Sequence, residues 1–96
     1  MIVVIAHVRA RAGRDEELAN VLRTLVAATR QESGCLQYDA HRATQDPCDF
    51  AFFERWESQE ALDEHMKTPH IAAAFAALPE LADGAPSIVT YSLLQA

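Results

Sequence analysis

The amino-acid sequence predicts an α+β fold of the ferredoxin-like type, with the element order βαββαβ. Four segments rich in β-branched and aromatic residues are interleaved with two segments in which apolar residues recur at helical spacing. Half of the 96 residues are hydrophobic and 23% are charged, so residues 1–96 are expected to form one globular domain. A chain this small buries only roughly 60–65% of its unfolded surface, so association with a second copy would help to stabilise it.

The first strand and the first helix are predicted from their apolar periodicity. The segment IVVIAHVRA, residues 2–10, begins with apolar residues on both of its faces, which indicates a central strand covered on two sides. Residues 14–33 are predicted to form a helix, because acidic residues open the segment and apolar residues recur along one stripe. Gly34 stands where the glycine that terminates a helix is expected.

Two further strands are predicted over residues 35–43 and 49–57, with a turn at residues 44–47 between them. Cys35 and Cys48 would then lie at opposite ends of a hairpin, about 25 Å apart at ~3.3 Å per residue, which is too far for a disulfide. We therefore expect two free thiols, as in a reducing compartment.

The second helical segment is predicted to be broken in two. Ser58 is a favourable N-cap for a helix over residues 59–67. Thr68 and Pro69 form a second start signal, with threonine as the N-cap and proline at the first helical position. Both signals are local, so these two helix starts are predicted from neighbouring residues alone.

The last helix is predicted to run to about Leu78 and to end at Pro79, and residues 87–95 form the final strand. This order gives one antiparallel four-stranded sheet with the helices on one face. The other face still carries apolar side chains, Val3 and Ile5 among them, which an isolated sheet would leave in water. A face-to-face homodimer is the simplest way to cover them.

Charge and hydropathy exclude several classes of partner. The net charge of −6 and the scattered basic residues do not match a nucleic-acid surface, which would show a basic stripe. Arg9, Arg11 and Arg14 indicate either a small-anion site or a solvated rim. No run approaches the ~20 apolar residues that span a bilayer, so no membrane segment is expected. The apolar start lacks a basic leader and a cleavage site, so we expect no signal peptide and a cytoplasmic location.

His65 is the first candidate for chemistry. It shares a helical face with Ala61, Leu62 and Met66, so it is expected to point towards the sheet. There it is either a core histidine or a general base or hydrogen-bond donor in a pocket, with a pKa tuned by burial. Glu54, placed between apolar residues on its strand face, is expected either to meet His65 or to pair with an arginine.

Aromatic residues and a second histidine are candidates for the same pocket. Trp56 is interpreted either as a core residue or as a stacking surface for a planar ligand. The Tyr38 hydroxyl either positions a substrate oxygen or forms a hydrogen bond with a neighbouring backbone group. His70 begins the last helix, either as a surface residue or as an imidazole that the helix dipole keeps neutral. Phe52 shares the strand face of Glu54, and Phe75 lies on the apolar stripe of the last helix.

Metal and nucleotide sites are not expected. His65 and His70 are five residues apart across a helix break, and no cysteine or third carboxylate falls at ligand spacing near them. The three glycines are isolated, so the sequence has no glycine-rich loop for a flavin or nicotinamide nucleotide. The sequence therefore predicts no cofactor.

Two stretches, ESGCLQY (residues 32–38) and FERWESQEALDEHMKTPH (residues 53–70), resemble the antibiotic biosynthesis monooxygenase domain family. The resemblance extends over almost the whole chain. It implies a homodimer whose two sheets pack into an α+β barrel, with a cavity between sheet and helices in each subunit. It also implies a monooxygenase that oxidises an aromatic quinol or polycyclic phenol with O₂ and without metal, flavin or haem.

The resemblance implies roles for the candidate residues. His65 would accept a proton or stabilise the substrate anion, while Trp56 and Tyr38 would stack on the substrate and position its oxygen. The expected substrate-binding set is Glu54, His70, Phe52 and Phe75.

Other branches of the superfamily leave alternatives open. Haem-degrading members use a first-strand Asn and a helix His where this chain has His7 and Phe75, so haem degradation does not fit. A second possible function is isomerisation of a small phosphorylated signal sugar, with Arg9 and Arg11 as candidate phosphate-binding residues. The third is a non-enzymatic dimer that binds a hydrophobic small molecule.

Overall fold

The computed structural model describes residues 1–95 and confirms the βαββαβ order, with the second helical segment divided in two. The elements are β1 (Ile2–Arg9), α1 (Asp15–Thr29), β2 (Cys35–Arg42), β3 (Asp49–Trp56), α2 (Gln59–His65), α3 (Pro69–Leu81) and β4 (Ser87–Ser92). None of the helices in this part of the chain is long and apolar enough to cross a membrane. Cys35 and Cys48 are free thiols, as predicted.

The four strands form one antiparallel sheet in the order β2-β3-β1-β4, with the helices on one face. The covered face supplies the alternate buried side chains Val4, Ala6, Val8, Phe50, Phe52, Glu54 and Trp56. Because β1 lies between β3 and β4, its prediction as a central strand is confirmed. Its second face is not covered within the single chain, since Ile5 is 36% exposed.

Both predicted helix starts, with Ser58 and Thr68 as N-caps, are confirmed. The Ser58 hydroxyl accepts a hydrogen bond from the backbone N–H of Ala61 at 3.2 Å, and the Thr68 hydroxyl accepts one from Ile71 at 3.4 Å. Pro69 occupies the first turn of α3, where its missing N–H leaves no donor unsatisfied. These caps hold the junction between α2 and α3 in a fixed conformation.

The first helix is shorter than predicted, and Gly34 has a different role. α1 ends at Thr29, where Arg30 closes the helix in a right-handed conformation that needs no glycine. Gly34 lies in the following turn with φ +87°, and a Cβ atom there would lie 2.7 Å from the Cβ atom of Ala61 in α2. Glycine is therefore required here for a left-handed turn and for the close approach of α2.

The prediction that the last helix ends at Pro79 is wrong, because α3 continues to Leu81. A proline inside a helix removes one hydrogen bond and costs roughly 3 kcal/mol. Tertiary contacts hold the last turn in place. The Arg11 backbone N–H donates to the Leu81 carbonyl at 2.8 Å, and its guanidinium donates to the Pro79 carbonyl at 2.9 Å. At the other boundary, β4 ends at Ser92 and not at residue 95.

The sheet face that points away from the helices, here called the open face, is apolar and exposed. Ile5, Val89 and Tyr91 on this face are 36%, 44% and 47% exposed, and Val89 pairs directly with Ile5. Every residue of β4, the edge strand next to β1, is exposed. The predicted apolar and uncovered sheet face is therefore present in the single chain.

A candidate active site around His65 and Glu32

A cavity of about 80 Å³ lies between the sheet and the helices. Its walls are mostly apolar and come from all four strands and all three helices. The ionisable residues that line it from the covered side of the sheet and from the helices are Tyr38, Glu54 and His65. An apolar cavity with a few converging polar groups is the usual form of a small-molecule site.

His65 is held by Glu32, a residue to which the sequence alone gave no role. His65 is the last residue of α2, only 1% exposed, and its Nδ1 atom lies 2.7 Å from the Oε2 atom of Glu32. Because an ionised carboxylate only accepts hydrogen bonds, Nδ1 carries the proton of a neutral imidazole. The lone pair is then on Nε2, which makes Nε2 the proton acceptor.

The protonation state of His65 depends on two opposing effects. Burial lowers the pKa of His65, because a charged imidazolium would lose its hydration. The hydrogen bond to Glu32 and the negative charge of Glu32 act in the opposite direction, and burial has the larger effect. The imidazole is therefore mainly neutral at neutral pH, which is the state required of a base.

The same carboxylate oxygen also contacts His70. The Nε2 atom of His70 lies 2.6 Å from the Oε2 atom of Glu32. The Thr68 N-cap places His70 in the first turn of α3, and the Thr68 hydroxyl also donates to the His65 carbonyl at 2.8 Å. Glu32 thus joins α2, α3 and the turn after α1 through one oxygen atom.

Glu54 has neither of the two partners expected for it. It bonds Trp56, whose Nε1–H donates to the Oε1 atom of Glu54 at 2.9 Å, and it contacts neither His65 nor an arginine through a hydrogen bond within residues 1–95. The two residues are neighbours on one face of β3, so the bond is local. Burial raises the pKa of Glu54 to about 7, while the Trp56 hydrogen bond partly opposes this rise.

Trp56 and Tyr38 pack against the His65 ring from different positions. Trp56 is fully buried and does not line the cavity, in agreement with its interpretation as a core residue. Its ring centroid lies 4.6 Å from that of His65 at an interplanar angle of 36°. Tyr38 does line the cavity, with its ring 5.3 Å from His65 and 5.4 Å from Phe52. Burial raises the pKa of Tyr38, so the phenol keeps its proton.

The structure brings most of the candidate residues to one cavity. The candidates that line it are His65, Tyr38, Glu54, Phe52 and Phe75. Trp56 and His70 lie outside the cavity lining. Trp56 contacts Glu54 and the His65 ring, which are at the cavity, and His70 contacts Glu32, which holds His65.

Arg9 and Arg11, the phosphate candidates, do not line the cavity. Arg9 pairs with Asp46 at 2.7 Å, and Arg11 bonds the Pro79 carbonyl.

The fold brings a third possible ligand beside the two histidines, although no cysteine or carboxylate falls at ligand spacing near them in the sequence. The side chains of Glu32, His65 and His70 each offer one ligand atom, and these atoms all lie within 4.8 Å of one another. Glu32 is 33 residues before His65, so its approach depends on the tertiary fold and not on ligand spacing in the sequence. Two imidazoles and one carboxylate form a donor set that can hold a divalent metal ion.

Known proteins resemble this chain in sequence and in fold. The chain is 36% identical over 69 residues to Rv0793 of Mycobacterium tuberculosis, named as a supposed monooxygenase, with 72% of this chain and 67% of the relative covered. It is 28% identical over 94 residues to an uncharacterised Synechocystis protein, covering 98% of this chain and 64% of the relative. The chain thus spans about two thirds of the length of these two relatives.

A solved structure agrees closely with the whole fold. The crystal structure of PA3566 from Pseudomonas aeruginosa is 34% identical and superposes with a TM-score of 0.91, covering 97% of this chain and 93% of that one. Residues 1–77 match the sequence pattern of the antibiotic biosynthesis monooxygenase family, and this range includes Tyr38, Glu54, His65 and His70. The chain therefore belongs to the antibiotic biosynthesis monooxygenase family.

Proposed function

We propose that the chain is a monooxygenase that oxidises an aromatic quinol or polycyclic phenol with O₂ and uses no metal, flavin or haem for this reaction. The observation that carries the proposal is the 2.7 Å contact between Glu32 and His65 at the wall of an apolar cavity. This contact supports a neutral imidazole with a proton acceptor at Nε2. Membership of the family supports the reaction class.

His65 is the proposed general base. It removes the phenolic proton of the substrate, and the resulting phenolate is electron-rich enough to reduce O₂ directly. A positioned base of this kind contributes roughly 10²–10⁴-fold to a rate. Glu32 is the proposed positioning residue: its negative charge stabilises the imidazolium that forms when His65 takes the proton.

The reaction balances without a separate reductant. With 1,4-naphthohydroquinone as substrate, one atom of O₂ enters the ring as a hydroxyl group and the other leaves as water. Oxidation of the quinol to the quinone supplies two electrons, and conversion of a ring C–H to C–OH supplies two more. The products are a hydroxynaphthoquinone and one water molecule.

Glu54 and Tyr38 are proposed to bind the oxygen atoms of the substrate. Their backbones pair directly across β2 and β3, and both side chains line the cavity with His65. With a pKa of about 7, Glu54 is present in both its acid and carboxylate forms near neutral pH, so it can donate or accept a hydrogen bond. The Tyr38 phenol remains a donor. Phe52 and Phe75 supply apolar contacts for the rings of the substrate.

We further propose that two chains pair through the open face. Such a pair would bury the exposed side chains of Ile5, Val89 and Tyr91. Ile88 of β4 lines the cavity and is 47% exposed, so the cavity is open beside the edge strand.

The test is O₂ uptake by metal-stripped protein with 1,4-naphthohydroquinone, measured against the rate of autoxidation without protein. His65→Ala is compared with His41→Ala, which changes an exposed histidine of β2. We expect the wild-type protein and His41→Ala to exceed autoxidation clearly, and His65→Ala to be slower by about 10²-fold or more. Circular dichroism checks that each variant is folded.

A wild-type rate equal to autoxidation for a range of quinols and phenols would contradict the proposal. Thermal shifts with sugar phosphates and with aromatic ligands would then separate an isomerase from a non-enzymatic binding protein. The cavity favours the aromatic ligand, because neither phosphate-candidate arginine reaches it.

A further inference from the structure

We propose that Glu32, His65 and His70 form a regulatory binding site for a divalent transition-metal ion of the zinc type. The ion would take the place of the protons that now lie between the carboxylate and the two imidazoles. It would be an inhibitor of the proposed reaction and not its cofactor.

The geometry of the three side chains suits such an ion. The Nδ1 atom of His65 and the Nε2 atom of His70 lie 2.7 Å and 2.6 Å from the same Glu32 oxygen, and all three ligand atoms lie within 4.8 Å of one another. Zinc binds imidazole nitrogen and carboxylate oxygen at about 2.0–2.2 Å, which places tetrahedral ligand atoms about 3.3 Å apart. The contacts of 2.7 Å and 2.6 Å would have to lengthen by roughly 0.6–0.7 Å to reach that spacing.

Burial and ligand chemistry favour zinc over magnesium or calcium. The side chains of His65, Glu32 and His70 are 2%, 14% and 22% exposed, so the cluster is largely shielded but reachable from the His70 side. Imidazole nitrogen suits zinc, copper and nickel, whereas magnesium and calcium prefer sites made of oxygen atoms only. With three protein ligands, a fourth position is left for water.

The surface beside the cluster would attract a cation. Glu32 lines a groove together with Glu57, Glu60 and Glu64, and no lysine or arginine lines this groove within the described residues. The nearby Lys67 ammonium pairs weakly with Glu64, at 3.5 Å, and is itself 72% exposed. Four carboxylates around one groove raise the local concentration of divalent cations.

Metal binding would change the chemistry of His65. An imidazole that coordinates a metal through Nδ1 keeps its proton on Nε2. The atom that accepts the substrate proton in the proposed reaction would then be a donor, and the base would be lost. This consequence rests on the proposed function, whereas the binding site itself does not.

Calorimetric titration of metal-stripped protein with Zn²⁺ tests the site without reference to activity. We expect one ion per chain for the wild-type protein and for the control His41→Ala, and no binding of Mg²⁺. Glu32→Gln and His70→Gln each remove one ligand, and each should weaken Zn²⁺ binding at least tenfold. His70 is partly exposed, so His70→Gln remains informative if Glu32→Gln fails to fold. Wild-type protein that binds no Zn²⁺, or variants that bind it as tightly as the wild type, would overturn the proposal.

A second measurement separates the site from the proposed function. Zn²⁺ should inhibit O₂ uptake by the wild-type protein in proportion to the occupied fraction found by calorimetry, and a chelator should restore the rate. Calorimetric binding without inhibition of an active protein would overturn the regulatory role. Calorimetric binding by a protein that consumes no O₂ under any condition would instead contradict the proposed monooxygenase.

Discussion

Glu32 and His65 are 33 residues apart in the chain, and their side chains meet at 2.7 Å, with the carboxylate oxygen against Nδ1 of the imidazole. The contact links the turn after α1 to the last residue of α2. It determines which nitrogen of His65 carries the proton and which one is available to a substrate. The proposed chemistry of the cavity depends on this single pair.

Glu32→Gln should reduce the rate of substrate oxidation more than it reduces substrate binding. The amide is nearly the same size but carries no charge, so it neither enforces the Nδ1–H form of His65 nor stabilises the imidazolium. We expect kcat to fall about tenfold to a hundredfold, with little change in KM. This loss is smaller than the roughly 10²–10⁴-fold contribution of a general base to the rate, because His65 itself is still present.

Nitrogen NMR of the His65 ring separates this role from a merely structural one, because a structural role would leave the tautomer of His65 unchanged. The wild-type ring should show a protonated Nδ1 and an unprotonated Nε2, and Glu32→Gln should shift the population towards the other tautomer. An unchanged tautomer together with a full loss of rate would show that Glu32 does not act through His65.

Glu54→Gln should change how stability depends on pH. The folded-state pKa of Glu54 is raised from 4.5 to about 7, so folding favours the protonated acid. The stabilising effect of the proton is complete below about pH 4.5 and is lost as pH rises through about 7. A shift of this size corresponds to about 3 kcal/mol in the free energy of unfolding.

Urea unfolding at several pH values between 4.5 and 8 measures this effect. The wild-type protein should lose stability relative to Glu54→Gln across that range, because glutamine does not titrate and its side-chain oxygen can still accept from Trp56. Parallel curves for the two proteins would mean that Glu54 ionises normally in the folded state.

Gly34→Ala should destabilise the fold more than Gly84→Ala does. Both glycines have φ +87°, and this conformation costs an alanine roughly 1–2 kcal/mol. Only at Gly34 would the added Cβ lie 2.7 Å from the Cβ of Ala61, whereas nothing lies within 4 Å of it at Gly84. The overlap should add about 1–3 kcal/mol, measured by chemical denaturation. Equal losses for the two variants would rule out a steric role for the contact with α2.

Val89→Lys should separate the proposed dimer. It places a charge on the open face opposite Ile5, and a buried unpaired charge costs several kcal/mol. Light scattering after gel filtration should show a dimer for the wild type and a monomer for Val89→Lys. The control is Gln45→Lys in the exposed turn between β2 and β3, which should stay dimeric. A wild-type monomer at micromolar concentration would refute pairing through this face.

Features coded by neighbouring residues were predictable from the sequence. Ser58 and Thr68 are hydrogen-bonded caps as expected, because a cap depends on residues only three positions away. The inward position of His65 followed in the same way from helical periodicity. Pro79 shows the limit of local rules, since contacts from Arg11 extend α3 beyond a residue that normally ends a helix.

The partners of the site residues were not predictable, because they depend on tertiary contacts. Glu54 was expected to meet His65, but Trp56, two residues along the same strand, takes its hydrogen bond. The place next to His65 is taken by Glu32, which lies in the ESGCLQY stretch beyond the end of α1. That stretch was singled out by its family resemblance, but no spacing rule could show which of its side chains reaches His65.

The most direct test of the central claim is isotope incorporation from ¹⁸O₂ into the product of 1,4-naphthohydroquinone, with metal-stripped wild-type protein and His65→Ala compared by mass spectrometry. The account predicts one labelled oxygen atom in the hydroxynaphthoquinone made by the wild type, the second label in water, and no labelled product above autoxidation with His65→Ala. An unlabelled product, or equal labelling by the two proteins, would contradict a monooxygenase that uses His65 as its base.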